Sequence, residues 1–148
     1  MDIPDCNFCK IFDIDPNKKI ILYASSGGHN LCDEHKFIPV ILDFINSGEL
    51  KNTVLIVRPH IGYRGDVDFY KPYEANDNCR LDKTARPGAN YKDAWDTSIN
   101  HIKILFNSVY HADALVNIAS TITLDGIACG TPVINLFFDL SEGVDFEN

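Results

Sequence analysis

The stretch Ala114-Leu115-Val116-Asn117-Ile118-Ala119-Ser120-Thr121-Ile122-Thr123-Leu124-Asp125, followed by Gly130-Thr131-Pro132-Val133-Ile134, decides how this chain folds. Its first five residues read as a buried strand. Ser120 stands where a helix cap belongs, and the helix it opens runs to about Cys129, stopped by Gly130 and Pro132. Val133 to Phe138 is then another apolar strand. A strand, a helix and a second strand in close succession are the repeating unit of a parallel sheet.

The same alternation extends towards the amino terminus. Ile20 to Ala24 and Val54 to Val57 are short apolar runs without a polar face, which suits strands buried on both sides. Between them Phe37, Ile38, Ile41, Leu42 and Ile45 recur at helical spacing. Pro39 is tolerated there only in the first turn, and Gly48 can end the helix. Phe8, Ile11 and Phe12 suggest a short leading helix before the turn at Asp15-Pro16-Asn17. Residues 61–98 are the least regular part, although Cys79-Arg80-Leu81 can form a short strand. Asp96 is a candidate cap for a helix whose apolar face would be Ile99, Ile102, Leu105, Phe106 and Val109. The whole is an α/β arrangement with a parallel sheet covered on both faces.

Composition narrows the function. The 148 residues suit one domain, and a hydrophobic fraction of 45% is enough to fill its core. Thirteen basic against 21 acidic residues give a net charge of −8, and no basic run offers a track for a nucleic-acid backbone. A small anionic ligand needs only a local cluster and stays open. No apolar run approaches the roughly 18 to 20 residues of a membrane-spanning helix. The opening Met1-Asp2-Ile3-Pro4-Asp5 does not resemble a secretory signal. Five cysteines, an odd number, do not suggest a disulfide framework, so a cytoplasmic setting is expected. Because residues 140–148 trail off as a loop behind an apolar strand, an excised or shortened domain is the expected status of the chain.

In an open α/β sheet ligands gather outside the carboxyl ends of the strands. Four such ends carry distinctive chemistry: Ser25 to His29, Arg58 to His60, Ser120 to Asp125, and Asp139. A helix that starts at Ser120 and Thr121 presents N–H groups and the positive end of its dipole, which can hold a phosphate. Ser120 reads equally as a plain cap. Asp125, one turn further in, can accept hydrogen bonds from ribose or sugar hydroxyls, or simply face solvent. Ser26, Gly27 and Gly28 form a flexible turn whose amides can approach a ligand, but it lacks a full dinucleotide or triphosphate fingerprint. Arg58 can pair with a phosphate or with an acidic neighbour. His60 can donate to an anion, act as acid or base, or cap the sheet.

Metal and redox readings are weaker. Cys6-Asn7-Phe8-Cys9 has thiol-redox spacing but precedes the first strand. His29, Cys32 and His35 have only loose zinc spacing, so no metal site is expected. Cys79 and Cys129 read as core or incidental, and Trp95 with Tyr91 as an anchor for the following helix.

The block His111 to Asp125 with Gly130 to Ile134, together with Lys19 to Ala24 and Val54 to His60, resembles the carboxyl-terminal domain of GT-B glycosyltransferases. It is most similar to bacterial surface-polysaccharide enzymes and their relatives, the glycerol-phosphate transferases and sugar-nucleotide 2-epimerases. The resemblance spans most of residues 8–140 and thins between 61 and 95. It implies a three-layer α/β sandwich with a Rossmann-like parallel sheet, one half of a GT-B fold. Residues 1–18 would be a partial lead-in helix and linker, and 19–148 the nucleotide-sugar-binding domain, truncated at its end.

By position, the resemblance assigns Ser120 and Thr121 to the diphosphate of a nucleotide-sugar donor and Asp125 to ribose or sugar hydroxyls. Ser26, Gly27 and Gly28 would face the phosphates, Arg58 and His60 would offset leaving-group charge, and Asp139 would lie near the donor sugar. Many members have glutamate where this chain has Asp125. No tightly bound cofactor is implied. The partner is the nucleotide sugar, transferred to a hydroxyl acceptor, with an amino-terminal acceptor domain supplied elsewhere. Any peripheral membrane association belongs to the full-length protein. The chain alone is expected to be inactive or very weakly active, and a sugar-nucleotide epimerase or hydrolase domain, or a non-catalytic α/β module, are the alternatives.

Overall fold

A computed structural model describes residues 6–27, 33–60, 66–83 and 98–136. In chain order the elements are α1 (Cys6–Phe12), β1 (Lys19–Ala24), α2 (Phe37–Asn46), β2 (Thr53–Arg58), α3 (Asp66–Tyr70), β3 (Cys79–Leu81), α4 (Ile99–His111), β4 (Ala114–Asn117), α5 (Ile122–Cys129) and β5 (Val133–Asn135). Two 3-10 turns, Glu34–Lys36 and Lys71–Ala75, lead into α2 and follow α3. The strands form one parallel sheet in the order β3-β2-β1-β4-β5. This is the α/β sandwich with a Rossmann-like sheet that the alternation of apolar runs predicts, and it is consistent with one half of a GT-B fold.

Each central strand is buried on both faces because its residues alternate between two cores. Ile20, Leu22, Val54, Ile56 and Leu115 pack with Phe8, Phe12 and Val109 from α1 and α4. Tyr23, Leu55, Val57 and Val116 pack with Phe37, Ile38, Leu42 and Ile45 from α2. Asp113 ties the lower edge: its carboxylate accepts from Ile20 N–H at 2.8 Å while its own N–H donates to Ile20 O at 2.8 Å. That exchange fixes the register of β4 on β1, with Leu22 opposite Leu115 and Ala24 opposite Asn117.

Two local expectations are corrected. The cap of α4 is Ser98, whose side chain accepts from His101 N–H, whereas the candidate Asp96 lies outside the described residues. The buried face of α4 carries His101, Ser108 and Val109, and Ile99, Ile102 and Phe106 are exposed. Apolar spacing found Val109 and Leu105, which pack in or against the core, and misplaced the other three; the polar His101 and Ser108 are buried instead, His101 meeting Arg58 and Ser108 donating to Ile104 O. At the other helix, Thr121 rather than Ser120 occupies the residue before α5, and it makes no side-chain cap bond. Gly130 does end α5 in the left-handed region, at φ 74°.

Candidate functional site

The strand order reverses between β1 and β4, so the crevice at their carboxyl ends is the topological switch point where such sheets bind ligands. Its two walls are the loop Ser25–Gly27 after β1 and the turn Ile118–Thr121 after β4. They touch, because the Ser26 hydroxyl donates to Ile118 O. Sequence placed Ser26, Gly27, Ser120 and Thr121 at one sheet edge, and the structure places them on these two touching segments. Gly28 and Asp139 lie outside the described residues, as do His29, Cys32, Tyr91 and Trp95.

The turn after β4 is organised by Asn117, a fully buried amide in an otherwise apolar strand. Its Oδ1 accepts from Ser120 N–H at 3.1 Å, and its Nδ2 donates to Thr123 Oγ1 at 3.1 Å. Thr123 Oγ1 also lies 3.2 Å from Asn135 Oδ1 on β5, which links the turn to the neighbouring strand. Ala119 is held at φ 46°, a left-handed conformation that side chains other than glycine seldom adopt. The turn thereby delivers Thr121 and the first turn of α5 to the crevice, where the helix N–H groups favour an anion. Asp125 stands in that first turn and is exposed.

Arg58 and His60 leave β2 into different surroundings. The Arg58 guanidinium is buried, paired through Nη1 with Asp82 Oδ2, and 2.9 Å from His101 Nε2 through Nη2. A guanidinium can only donate, so His101 Nε2 accepts and the ring proton belongs on Nδ1. Of the two roles open to Arg58 in the sequence, pairing with an acidic neighbour is therefore observed. His60 is half-buried beside two carboxylates, its own N–H donating to Asp66 Oδ2 at 2.6 Å. Burial lowers the His60 imidazole below the ordinary histidine value, against the opposing pull of Asp66 and Glu34.

This lowering makes stability depend on pH. Above about 6.5, the ordinary histidine value, both folded and unfolded chains hold a neutral ring. As the pH falls, the unfolded chain takes the proton first, so stability is lost between that value and the lower folded one. Urea titrations across about pH 5 to 8 are expected to show a steeper acid loss for the wild-type chain than for His60→Gln. Equal slopes would show that His60 carries no such linkage.

Sequence reading missed Glu34, Asp66, Asp82, His101 and Asn117. Glu34 and Asp66 flank Ser25, whose hydroxyl meets Glu34 Oε1 and lies 2.9 Å from Asp66 Oδ2. The phenols of Tyr23 and Tyr70 border this cluster, and burial together with Glu34 pushes both well above their usual range. The clearest available signal was Asn117, a polar residue inside the run Ala114 to Ile118. Cys9 and Cys79 are buried, and burial pushes the Cys79 thiol up to about 11, away from thiolate chemistry. Among the described residues no group of three or more His, Cys, Asp or Glu side chains could hold a metal ion. No helix among them is long and apolar enough to cross a membrane.

The sheet order and the crevice define a Rossmann-like α/β domain. No protein-family model and no curated protein matches the chain. Among solved structures, one assigned as a UDP-N-acetylglucosamine 2-epimerase from Listeria monocytogenes is similar, with a TM-score of 0.54 at 15% identity. The match covers 81% of this chain and 28% of that one, so the chain spans less than a third of the structure it resembles. At this identity the likeness is one of fold.

Proposed function

We propose that the chain is a nucleotide-sugar-binding domain, with the diphosphate at the start of α5 and Asp125 accepting from ribose or sugar hydroxyls. The observation that carries this reading is the β4–α5 turn at the strand-order reversal, pinned by Asn117 and strained at Ala119. Strain of this kind costs about 1–3 kcal/mol and persists where the surroundings enforce it, commonly at ligand sites. Of the enzyme classes compatible with such a domain, a sugar-nucleotide epimerase is favoured, because the similar structure carries that assignment over 81% of this chain. A glycosyltransferase donor domain is the second reading, supported by the likeness of residues 111–134 to that group. In either, this half orients the donor and stabilises charge on the diphosphate, while burial keeps the His60 ring in its neutral form, a weak base with a nitrogen lone pair.

Calorimetric titration with uridine, cytidine, guanosine and thymidine diphosphates tests the reading. One base is expected to bind in preference, and Asp125→Ala to weaken that binding about tenfold, the worth of one hydrogen bond to a charged group. Absence of saturable binding to all four would favour a non-catalytic α/β module. When the chain is joined to a second, acceptor-side half, C2 epimerisation of a nucleotide sugar would mark an epimerase. Transfer of the sugar to a hydroxyl acceptor, with release of nucleoside diphosphate, would mark a transferase.

A further inference from the structure

The loop after β1 is an anion nest, and we propose that its resident anion is the carboxylate of Glu34, so that a ligand's phosphates are held from the β4–α5 side alone. Glu34 begins the 3-10 turn before α2 and is 2% exposed. Its Oε2 accepts from Ser26 N–H at 2.9 Å, and its Oε1 accepts from Gly27 N–H at 2.9 Å while meeting the Ser25 hydroxyl. Successive N–H groups that converge on one anion form the concavity in which many proteins cradle phosphate. Gly27 reaches this geometry at φ 90°, a conformation that suits glycine.

A buried carboxylate persists only when hydrogen bonds or charges compensate it, and the two amide N–H groups do so, helped by the Ser25 hydroxyl that Glu34 shares with Asp66. A phosphate entering the nest would have to expel Glu34 from those donors and approach Asp66, which lies 2.9 Å from the Ser25 hydroxyl. Meanwhile the Ser26 hydroxyl is turned across the crevice to Ile118 O. Ser26 and Gly27 are thus positioning residues: Glu34 sets their loop from behind, and Ser26 braces the turn that carries Thr121. The part of the proposal that concerns phosphates rests on the function proposed above. The occupation of the nest by Glu34 does not.

Amide hydrogen exchange and nitrogen-15 spectra of the full chain separate the two. Ser26 and Gly27 N–H are expected to be protected in the wild-type chain, and Glu34→Gln to lower that protection at least about tenfold. In Glu34→Ala the vacated nest is expected to take a small carboxylate, so that formate raises Tm saturably while chloride at the same ionic strength does not. If that variant does not fold, the exchange comparison with Glu34→Gln decides. Equal, rapid exchange in wild type and Glu34→Gln would overturn the proposal. On adding uridine diphosphate, signals of Thr121 to Thr123 are expected to move while those of Ser26 and Gly27 stay. Saturable shifts of Ser26 and Gly27 as large as those of Thr121 to Thr123 would also overturn it. If no signal moves, the nucleotide reading fails, and exchange and formate still judge Glu34.

Discussion

Replacing Asp82 by alanine is expected to lower the unfolding free energy by about 3–5 kcal/mol, read from urea denaturation. The side chains of Arg58 and Asp82 are only 7% and 1% exposed, and they pair directly at the carboxyl ends of β2 and β3. Removing the carboxylate strands a guanidinium that cannot lose its proton and has little access to water. A domain of this size holds about 5–15 kcal/mol in total, so the variant would lose about a fifth or more of it. The double variant Arg58→Met with Asp82→Leu removes both charges and is expected to recover most of the loss. A cost below about 1 kcal/mol for Asp82→Ala would show that the pair is solvated and contributes as surface pairs do.

The second large effect is expected at Gly126, on the face of α5 that meets the sheet. A Cβ there would stand 2.6 Å from Val133 Cγ2 and 2.9 Å from Leu115 Cδ2. Val133 is stiff about χ1, and Leu115 is fully buried, so α5 must move away from the sheet. Overpacking of this kind costs about 1–3 kcal/mol, from which the better helix propensity of alanine returns about 1. Gly126→Ala is therefore expected to cost about 1 kcal/mol, and Gly126→Val about 3, with unfolding midpoints as the measure. Because α5 carries Thr123 and Asp125 and starts directly after Thr121, nucleotide diphosphate affinity should fall in Gly126→Val under conditions where the variant is still folded. Unchanged affinity would separate the position of α5 from binding.

The contrast between these two sites shows what a linear reading can and cannot reach. Strands β1, β2 and β4 were legible because a strand buried on both faces is mostly apolar, as Ile20 to Ala24 and Val54 to Val57 are. Gly130 was legible because a helix end in the left-handed region favours one residue type. The Arg58–Asp82–His101 cluster was not, since its members lie 24 and 43 residues apart and only the sheet order brings them together. The same non-local pairing explains the misjudged part of α4, where His101 is buried against Arg58 while Ile99 and Ile102 are exposed. The positions of Ser26, Gly27, Ser120 and Thr121 beyond the ends of β1 and β4 were legible. Glu34 was missed because nothing in Asp33-Glu34-His35-Lys36 distinguishes a carboxylate bound to backbone amides from one in solvent.

The order β3-β2-β1-β4-β5 also sets a timetable for synthesis. The β1–β2–β3 half can pair as soon as residue 81 has left the ribosome, with β1 as its temporary edge. That edge waits for β4, whose anchoring contact between Ile20 and Asp113 spans 93 residues. A parallel strand left open is a template for unwanted pairing, and closure over such separations is slow. The β1–β4 seam is thus both a joint that stays open until the second half of the sheet has been made and the line along which the candidate crevice opens.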